Sequence, residues 1–135
     1  MYLLDSDICI NLLRGKLPHT LELMRHSDPR IFGIPTVVEG ELRTGALKSA
    51  HPQKNRQLLE NFLAPYKSVP FDHASAVAYS EIRAVLEKQG NTIGPSDLFI
   101  AATAMAHGAT LITGNLREFS RVEGLEVESW EEVDL

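Results

Sequence analysis

The chain has one cysteine, Cys9, in 135 residues. An intramolecular disulfide is therefore excluded, which fits a reducing cytoplasm, and a thiolate zinc site cannot be built from Cys9 alone. No apolar run is long enough to span a bilayer, and no basic stretch precedes the N-terminal apolar residues as it would in a signal peptide. His19, His26, His51, His73 and His107 are scattered, and none has ligand spacing. Positive charge is scarce: 13 Lys and Arg stand against 18 Asp and Glu, a formal net charge of −5. That balance argues against broad non-specific nucleic-acid binding unless a local basic patch or a bound cation overcomes it. Repeats, linkers and low-complexity tracts are missing too. A length of 135 residues and a hydrophobic content of 44% therefore read as one domain, 1–135, with its own core. The acidic end, Glu131 to Leu135, reads as a solvated tail.

What is present is an alternation of strand and helix patterns. Tyr2-Leu3-Leu4 reads as a buried strand that stops at Asp5-Ser6-Asp7. A helix with Ile8, Leu12 and Leu13 on one face follows and ends at Gly15, and Pro18 opens a second with Leu21 and Met24. Ile31 to Ile34 reads as the second strand. Thr36-Val37-Val38-Glu39 has the form of a capping box, with Val37, Val38, Leu42 and Gly45 on the inner face of its helix. Glu39 can pair with Arg43 outside, whereas Glu41 shares the inner face. His51-Pro52 opens a helix that buries Leu58, Leu59, Phe62 and Leu63, and Lys67 to Phe71 reads as the third strand. Asp72 caps a helix burying Val77, Ala78, Ile82, Val85 and Leu86 up to Gly90. Ser96 or Asp97 starts a helix whose Ala101-Ala102-Thr103-Ala104 run implies close packing. Thr110 to Thr113 is a fourth strand, and Leu125 to Trp130 alternates like an edge strand. This order predicts an α/β fold, a three-layer α/β/α sandwich around a mainly parallel sheet.

Asp5, Glu41 and Asp97 share one property: each is acidic where its neighbours belong to a core. Singly, Asp5 could cap the first helix through the amide of Asp7 or Ile8, Glu41 could pair with an inward arginine, and Asp97 could cap its own helix. Together, with no matching inward lysine or arginine, they need neutralising, which a hard divalent cation does through oxygen ligands. Mg²⁺ is the natural choice, with Mn²⁺ possible, because a Cys/His cluster for zinc is lacking. Such an ion suits phosphodiester hydrolysis. Asn115 could orient water without adding charge, and Ser6 and Thr113 could hydrogen-bond a carboxylate or a phosphate.

Four segments, MYLLDSDICI, TVVEGELRTGALKS (36–49), IGPSDLFIAATAMAHGATLIT (93–113) and NLREFSRVEGLEVESW (115–130), resemble the PIN-domain ribonucleases, and specifically the VapC toxins of bacterial VapBC toxin–antitoxin pairs. The resemblance spans almost the whole chain. It implies a PIN-like fold and Asp5, Glu41 and Asp97 as metal ligands. It further implies Mg²⁺-dependent endonucleolytic cleavage of RNA by metal-activated water, leaving a 5′-phosphate and a 3′-hydroxyl. A VapB antitoxin would inhibit the toxin, and toxin subunits would form a homodimer. Two positions depart from the pattern. Asn115 stands where many PIN domains have a fourth acid, and the opening Asp-Ser-Asp is often Asp-Thr-Asn, which makes Asp7 an extra carboxylate, expected here as a helix cap. Lys48, His51, Lys54 and Arg56, and Arg117 with Arg121, are the basic groups proposed to meet RNA phosphates.

Two rival readings remain. LLDSDI also resembles the first motif of haloacid-dehalogenase-type phosphatases, with Asp5 as nucleophile and Asp7 as acid/base; that chemistry needs a lysine after Thr113, and none follows. A non-catalytic PIN-like module that binds only RNA or protein would carry the acids without binding metal.

Overall fold

In the computed structural model, which describes residues 1–130, the strands are β1 (Tyr2–Leu4), β2 (Phe32–Pro35), β3 (Lys67–Val69), β4 (Thr110–Ile112) and β5 (Val127–Glu128). They form a single sheet in the order β3-β2-β1-β4-β5, and every neighbouring pair is parallel. Parallel neighbours need crossovers, which the helices supply. These are α1 (Ser6–Leu13), α2 (Pro18–Arg25), α3 (Thr36–Leu47), α4 (Pro52–Leu63), α5 (His73–Gln89), α6 (Pro95–Ala106) and α7 (Leu116–Phe119), with a 3₁₀ turn at Pro29–Ile31. Helices flank the sheet, as expected of the α/β/α sandwich, and the three central strands are largely buried, so β1 and β4 read as continuous apolar runs, whereas the edge strands β3 and β5 are partly exposed. Leu3, Leu4, Leu111 and Ile112 are fully buried.

The topology decides where a ligand can sit. From β1 the chain first builds outward through β2 and β3, then returns to the other side of β1 for β4 and β5. The carboxyl ends of β1 and β4 therefore border a topological switch point, where open α/β sheets leave a crevice. Asp5 follows β1 directly and Thr113 follows β4 directly.

Two glycines are needed where they stand. Gly90 ends α5 with φ 65° and ψ 31°, the left-handed conformation that suits glycine. Gly33 lies in β2 where a Cβ would come within 2.8 Å of both Leu3 Cδ2 and Val69 Cγ2. Both neighbours are buried, so Gly33→Ala is expected to lower stability by roughly 1–3 kcal/mol, read as a lower urea midpoint at unchanged slope.

Several local expectations are corrected. Thr36 is not an N-cap: Pro35 holds that position, and Thr36 Oγ1 instead accepts from the Phe71 amide. Glu39 does pair with Arg43, at 2.9 Å, and Arg43 also binds Glu60, joining α3 to α4. The third and fifth strands are shorter than their apolar patterns, because the ladder ends at Val69 and at Glu128. Leu13, Leu58, Val77 and Val85, expected inside, are 39%, 50%, 46% and 47% exposed, and Gly45 is exposed as well. The apolar stripes of α1, α4 and α5 are wider than the faces that the core covers. Asp72 caps α5 as expected, accepting from the Ser75 amide at 2.9 Å. No helix of the described residues is long and apolar enough to cross a membrane. The expected tail at 131–135 lies outside the described residues.

Candidate active site

Asp5 is the buried centre of the crevice, 5% exposed. It occupies the N-cap of α1, and its Oδ1 accepts from the Ser6 amide at 2.8 Å rather than from Asp7 or Ile8. The Ser6 hydroxyl lies 3.4 Å from the same oxygen. Its Oδ2 accepts from the Thr113 hydroxyl at 2.7 Å, a bond between residues 108 apart in sequence. Burial nevertheless raises the Asp5 pKa above the ordinary value; the Thr113 bond partly offsets this and the nearby Asp7 charge adds to it.

Asp7 does more than cap. Its Oδ1 accepts from the Ile8 amide at 2.8 Å, and its Oδ2 accepts from the Gly114 amide at 2.9 Å, across the crevice. Both oxygens are thereby engaged by backbone donors.

Asp97 sits in the first turn of α6. It is not the N-cap: Gly94 is, without a side-chain bond, and the helix begins at Pro95. Released from capping, the Asp97 carboxyl meets other acids. Its pKa is pushed up to about 7, by burial first, then by the charges of Glu118, Asp5 and Glu41. Glu118 is displaced the other way: it accepts from the Gly94 amide at 2.7 Å and from Asn115 Nδ2 at 2.8 Å, which hold its carboxylate ionised. Of the two, Asp97 is therefore the one that binds a proton more readily.

Glu41 is exposed at the rim rather than turned into the core. Its pKa is raised by desolvation and then by Asp5, so the two carboxylates sense each other. Glu41 makes no hydrogen bond or ion pair among the described residues. None of Asp5, Glu41 and Asp97 has a lysine or arginine partner among the described ion pairs. No group of three His, Cys, Asp or Glu among the described residues is already spaced to close on one ion. The donor set still suits a hard divalent cation. It is all oxygen, and Asp5, Glu41 and Asp97 are each raised in pKa, with charges on neighbouring carboxylates among the causes.

Of the expected site residues, Asp5, Ser6, Asp7, Asp97, Thr113 and Asn115 lie in one hydrogen-bonded and electrostatic network, with Glu41 at its edge. The Asn115 amide donates to Thr113 Oγ1 at 3.0 Å. Glu118 was missed: in sequence it is one acid in a short polar turn, although its spacing three residues after Asn115 on a helix was a usable signal. The basic candidates divide. Arg117 is exposed on α7 beside this network. Arg121 donates to the Thr92 carbonyl at 2.9 Å and so has a structural partner. Lys48 and Lys54 stand exposed on either side of the α3–α4 turn, outside the network.

The whole arrangement has counterparts in known proteins. Residues 2–125 match the PIN domain family. The chain is 33% identical over 129 residues to the tRNA(fMet)-specific endonuclease VapC of Salmonella typhimurium, covering 96% of this chain and 97% of that protein. It is 35% identical over 135 residues to Ribonuclease VapC2 of Rickettsia felis, covering 97% and 98% respectively. Among solved structures, it is similar to a chain of the DNA-bound VapBC complex from Salmonella typhimurium, with a TM-score of 0.90, 33% identity, and coverage of 96% of this chain and 97% of that one. A chain of VapBC2 from Rickettsia felis, bound to promoter DNA, gives a TM-score of 0.86 at 33% identity, covering 96% and 98%. The phosphatase alternative falls on this match. The chain belongs to the PIN-domain family and, within it, to the VapC toxins of VapBC toxin–antitoxin systems.

Proposed function

We propose that this protein is a Mg²⁺-dependent endoribonuclease of the cytoplasm, with Mn²⁺ able to substitute, restrained by a VapB-type antitoxin. The observation that supports this reading is that Asp5, Glu41 and Asp97 sense one another's charge, and none of them has a cationic side-chain partner among the described ion pairs. Asp5, Glu41 and Asp97 would hold the ion. When bound, such an ion supplies charge neutralisation at a phosphoryl oxygen and lowers the pKa of water. The protein's own groups do the rest. Thr113 and the Ser6 amide fix the orientation of Asp5. Asp97, holding a proton with a pKa of about 7, gives it up readily when a cation enters. Glu118 keeps Asn115 and the start of α6 in place. Arg117, Lys48 and Lys54 are the proposed phosphate contacts, and Arg121 contributes from its tethered position.

The relatives named for tRNA(fMet) make initiator tRNA the first substrate to try. Incubated with that tRNA and with total RNA, the protein is expected to cut in Mg²⁺ and to stop in chelator, leaving 5′-phosphate and 3′-hydroxyl ends. Products bearing a 2′,3′-cyclic phosphate would reject hydrolysis by activated water. Absence of both cleavage and Mn²⁺ binding by calorimetry would leave the binding-module reading.

The antitoxin has a fitting seat. A groove of about 300 Å³ between α1, α3 and α4 is lined by Ile10, Leu13, Leu42, Ala46, Leu58 and Leu59, and Glu41 stands on its wall. The half-exposed Leu13 and Leu58 are what an apolar helix laid in this groove would cover. Leu58→Glu is expected to weaken inhibition by the cognate antitoxin at least about tenfold, since a carboxylate is desolvated there, while free toxin still cleaves RNA. Two toxin subunits are proposed to pair as a homodimer, with the exposed Val77 and Val85 of α5 available to a second copy.

A further inference from the structure

We propose that Asp7 is a positioning residue, whose carboxylate fixes the Gly114–Asn115 bend so that α7 and Arg121 can hold the backbone from which Asp97 projects. This inference rests on the ribonuclease reading and adds a residue role to it.

The argument starts from backbone donors. Between β4 and α7 the chain turns within Thr113, Gly114 and Asn115, and each of their amides has one acceptor. Thr113 donates to the Glu128 carbonyl at 3.0 Å, Gly114 to Asp7 Oδ2 at 2.9 Å, and Asn115 to Thr113 Oγ1 at 3.0 Å. Of these acceptors, only Asp7 comes from outside the β4–β5 side of the sheet. It ties the bend to the start of α1, where the other Asp7 oxygen accepts from Ile8.

The bend in turn sets α7. Asn115 occupies the N-cap position of that helix, and its side chain donates to Glu118 at 2.8 Å. Glu118 then accepts from the Gly94 amide at 2.7 Å, and Arg121 donates to the Thr92 carbonyl at 2.9 Å. Those two bonds grip the segment that leads into α6, three residues before Asp97. The path from Asp7 to Asp97 is therefore continuous: α1 start, Gly114, Asn115, Glu118, Gly94, Asp97. A helix of one turn has little stability of its own, so its placement depends on these tethers.

The chemistry also explains why a carboxylate serves here. Two backbone amides on different segments need two acceptor oxygens. An asparagine, which often stands at this position in the motif that the chain resembles, offers one acceptor oxygen and keeps one of the two ties, whereas an alanine keeps neither. Both Asp7 oxygens accept from backbone amides, so its carboxylate acts on the two segments that it ties together.

The test uses the full-length chain with Asp7→Asn and Asp7→Ala. In metal-free protein, ¹H–¹⁵N spectra should show the amide signals of Gly114 and of Gly94 displaced in Asp7→Ala, because one bond is lost and the other is shifted through Glu118, and displaced less in Asp7→Asn, which keeps one acceptor. With Mg²⁺ saturating, kcat for RNA cleavage by Asp7→Ala should fall on the order of tenfold and stay low as Mg²⁺ is raised further, because Asp97 then projects from a misplaced backbone. Full recovery of kcat at raised Mg²⁺ would overturn the proposal in favour of a role at the ion. Unchanged kcat, or a Gly94 signal that stays in place while Gly114 moves, would overturn it as well. If the unaltered protein cleaves no RNA, the ribonuclease reading fails, and the two amide signals still decide whether Asp7 positions the Asp97 segment.

Discussion

Asp97→Asn is expected to reduce RNA cleavage by at least about 10²-fold, and at the same time to stabilise the metal-free protein near pH 8. The two effects have one cause. Asp97 carries a charge that the metal-free fold resists: burial, then Glu118, Asp5 and Glu41, push its pKa up to about 7 from the ordinary 3.8. A carboxyl raised in the folded state contributes stability that is complete below about pH 3.8 and is lost as pH rises through 7. The metal-free wild type should therefore lose stability between these limits by more than its other groups account for, and the variant should show a flatter profile. The group is partly exposed, and solvent screening reduces the gain at pH 8 to about 1 kcal/mol, or ~4 °C in Tm. Mg²⁺ should raise the Tm of the wild type and leave that of the variant nearly unchanged, because only the carboxylate rewards binding of the ion. Thermal unfolding at pH 5, 6.5 and 8, with and without Mg²⁺, checks both parts. A variant that still cleaves at the wild-type rate removes Asp97 from the site.

Glu118→Ala is expected to lower cleavage on the order of 10–100-fold, although Glu118 is absent from the set of acids that the resemblance implies. Removing its carboxylate leaves the Gly94 amide and the Asn115 side chain without their acceptor, and so loosens the entry to α6. It also deletes the largest charge acting on Asp97, whose pKa should move back toward the ordinary carboxylate range. The rescue pattern separates the two consequences. Glu118→Gln keeps an oxygen for Gly94 and so should retain α6 placement, while it relieves the repulsion on Asp97 as fully as alanine does. A kcat for Glu118→Gln well above that of Glu118→Ala, with Asp97 titrating lower in both by carboxyl NMR, is the expected result. Equal kcat values would assign Glu118 a role through its charge alone.

The fold was legible because its signals are local and redundant. Alternating strand and helix periods lead to a parallel sheet by themselves, since a strand can rejoin its neighbour in parallel only through a crossover. The caps at Asp72 and Gly90 were legible for the same reason: each acts within a few residues of itself. Errors fell where a local motif competed with a distant partner. Thr36 and Glu39 satisfy the spacing of a capping box, yet Thr36 bonds the distant Phe71; the local Glu39–Arg43 pair forms as expected, and what was not legible is that Arg43 also reaches Glu60. Leu13, Leu58, Val77 and Val85 fit apolar stripes, but a stripe marks only an apolar face and not what covers it.

For the site, the sequence by itself determined the candidates: three acids set among apolar residues, at a strand end, in a helix, and in the first turn of another helix. Their type, with no Cys/His cluster beside them, favoured a hard cation, and the four segments in which they stand carried the family resemblance. The tertiary structure decided how they are used. It took Asp97 out of the cap position and set it beside Glu118 with a raised pKa, left Glu41 at the rim, and gave both oxygens of Asp7 to backbone amides. These outcomes depend on contacts between residues up to 108 positions apart, as between Asp5 and Thr113. Hydrogen bonds and desolvation act over a few ångströms of space, whatever the separation along the chain, so the environment that sets each carboxyl's charge exists only once the sheet has brought the ends of β1 and β4 side by side.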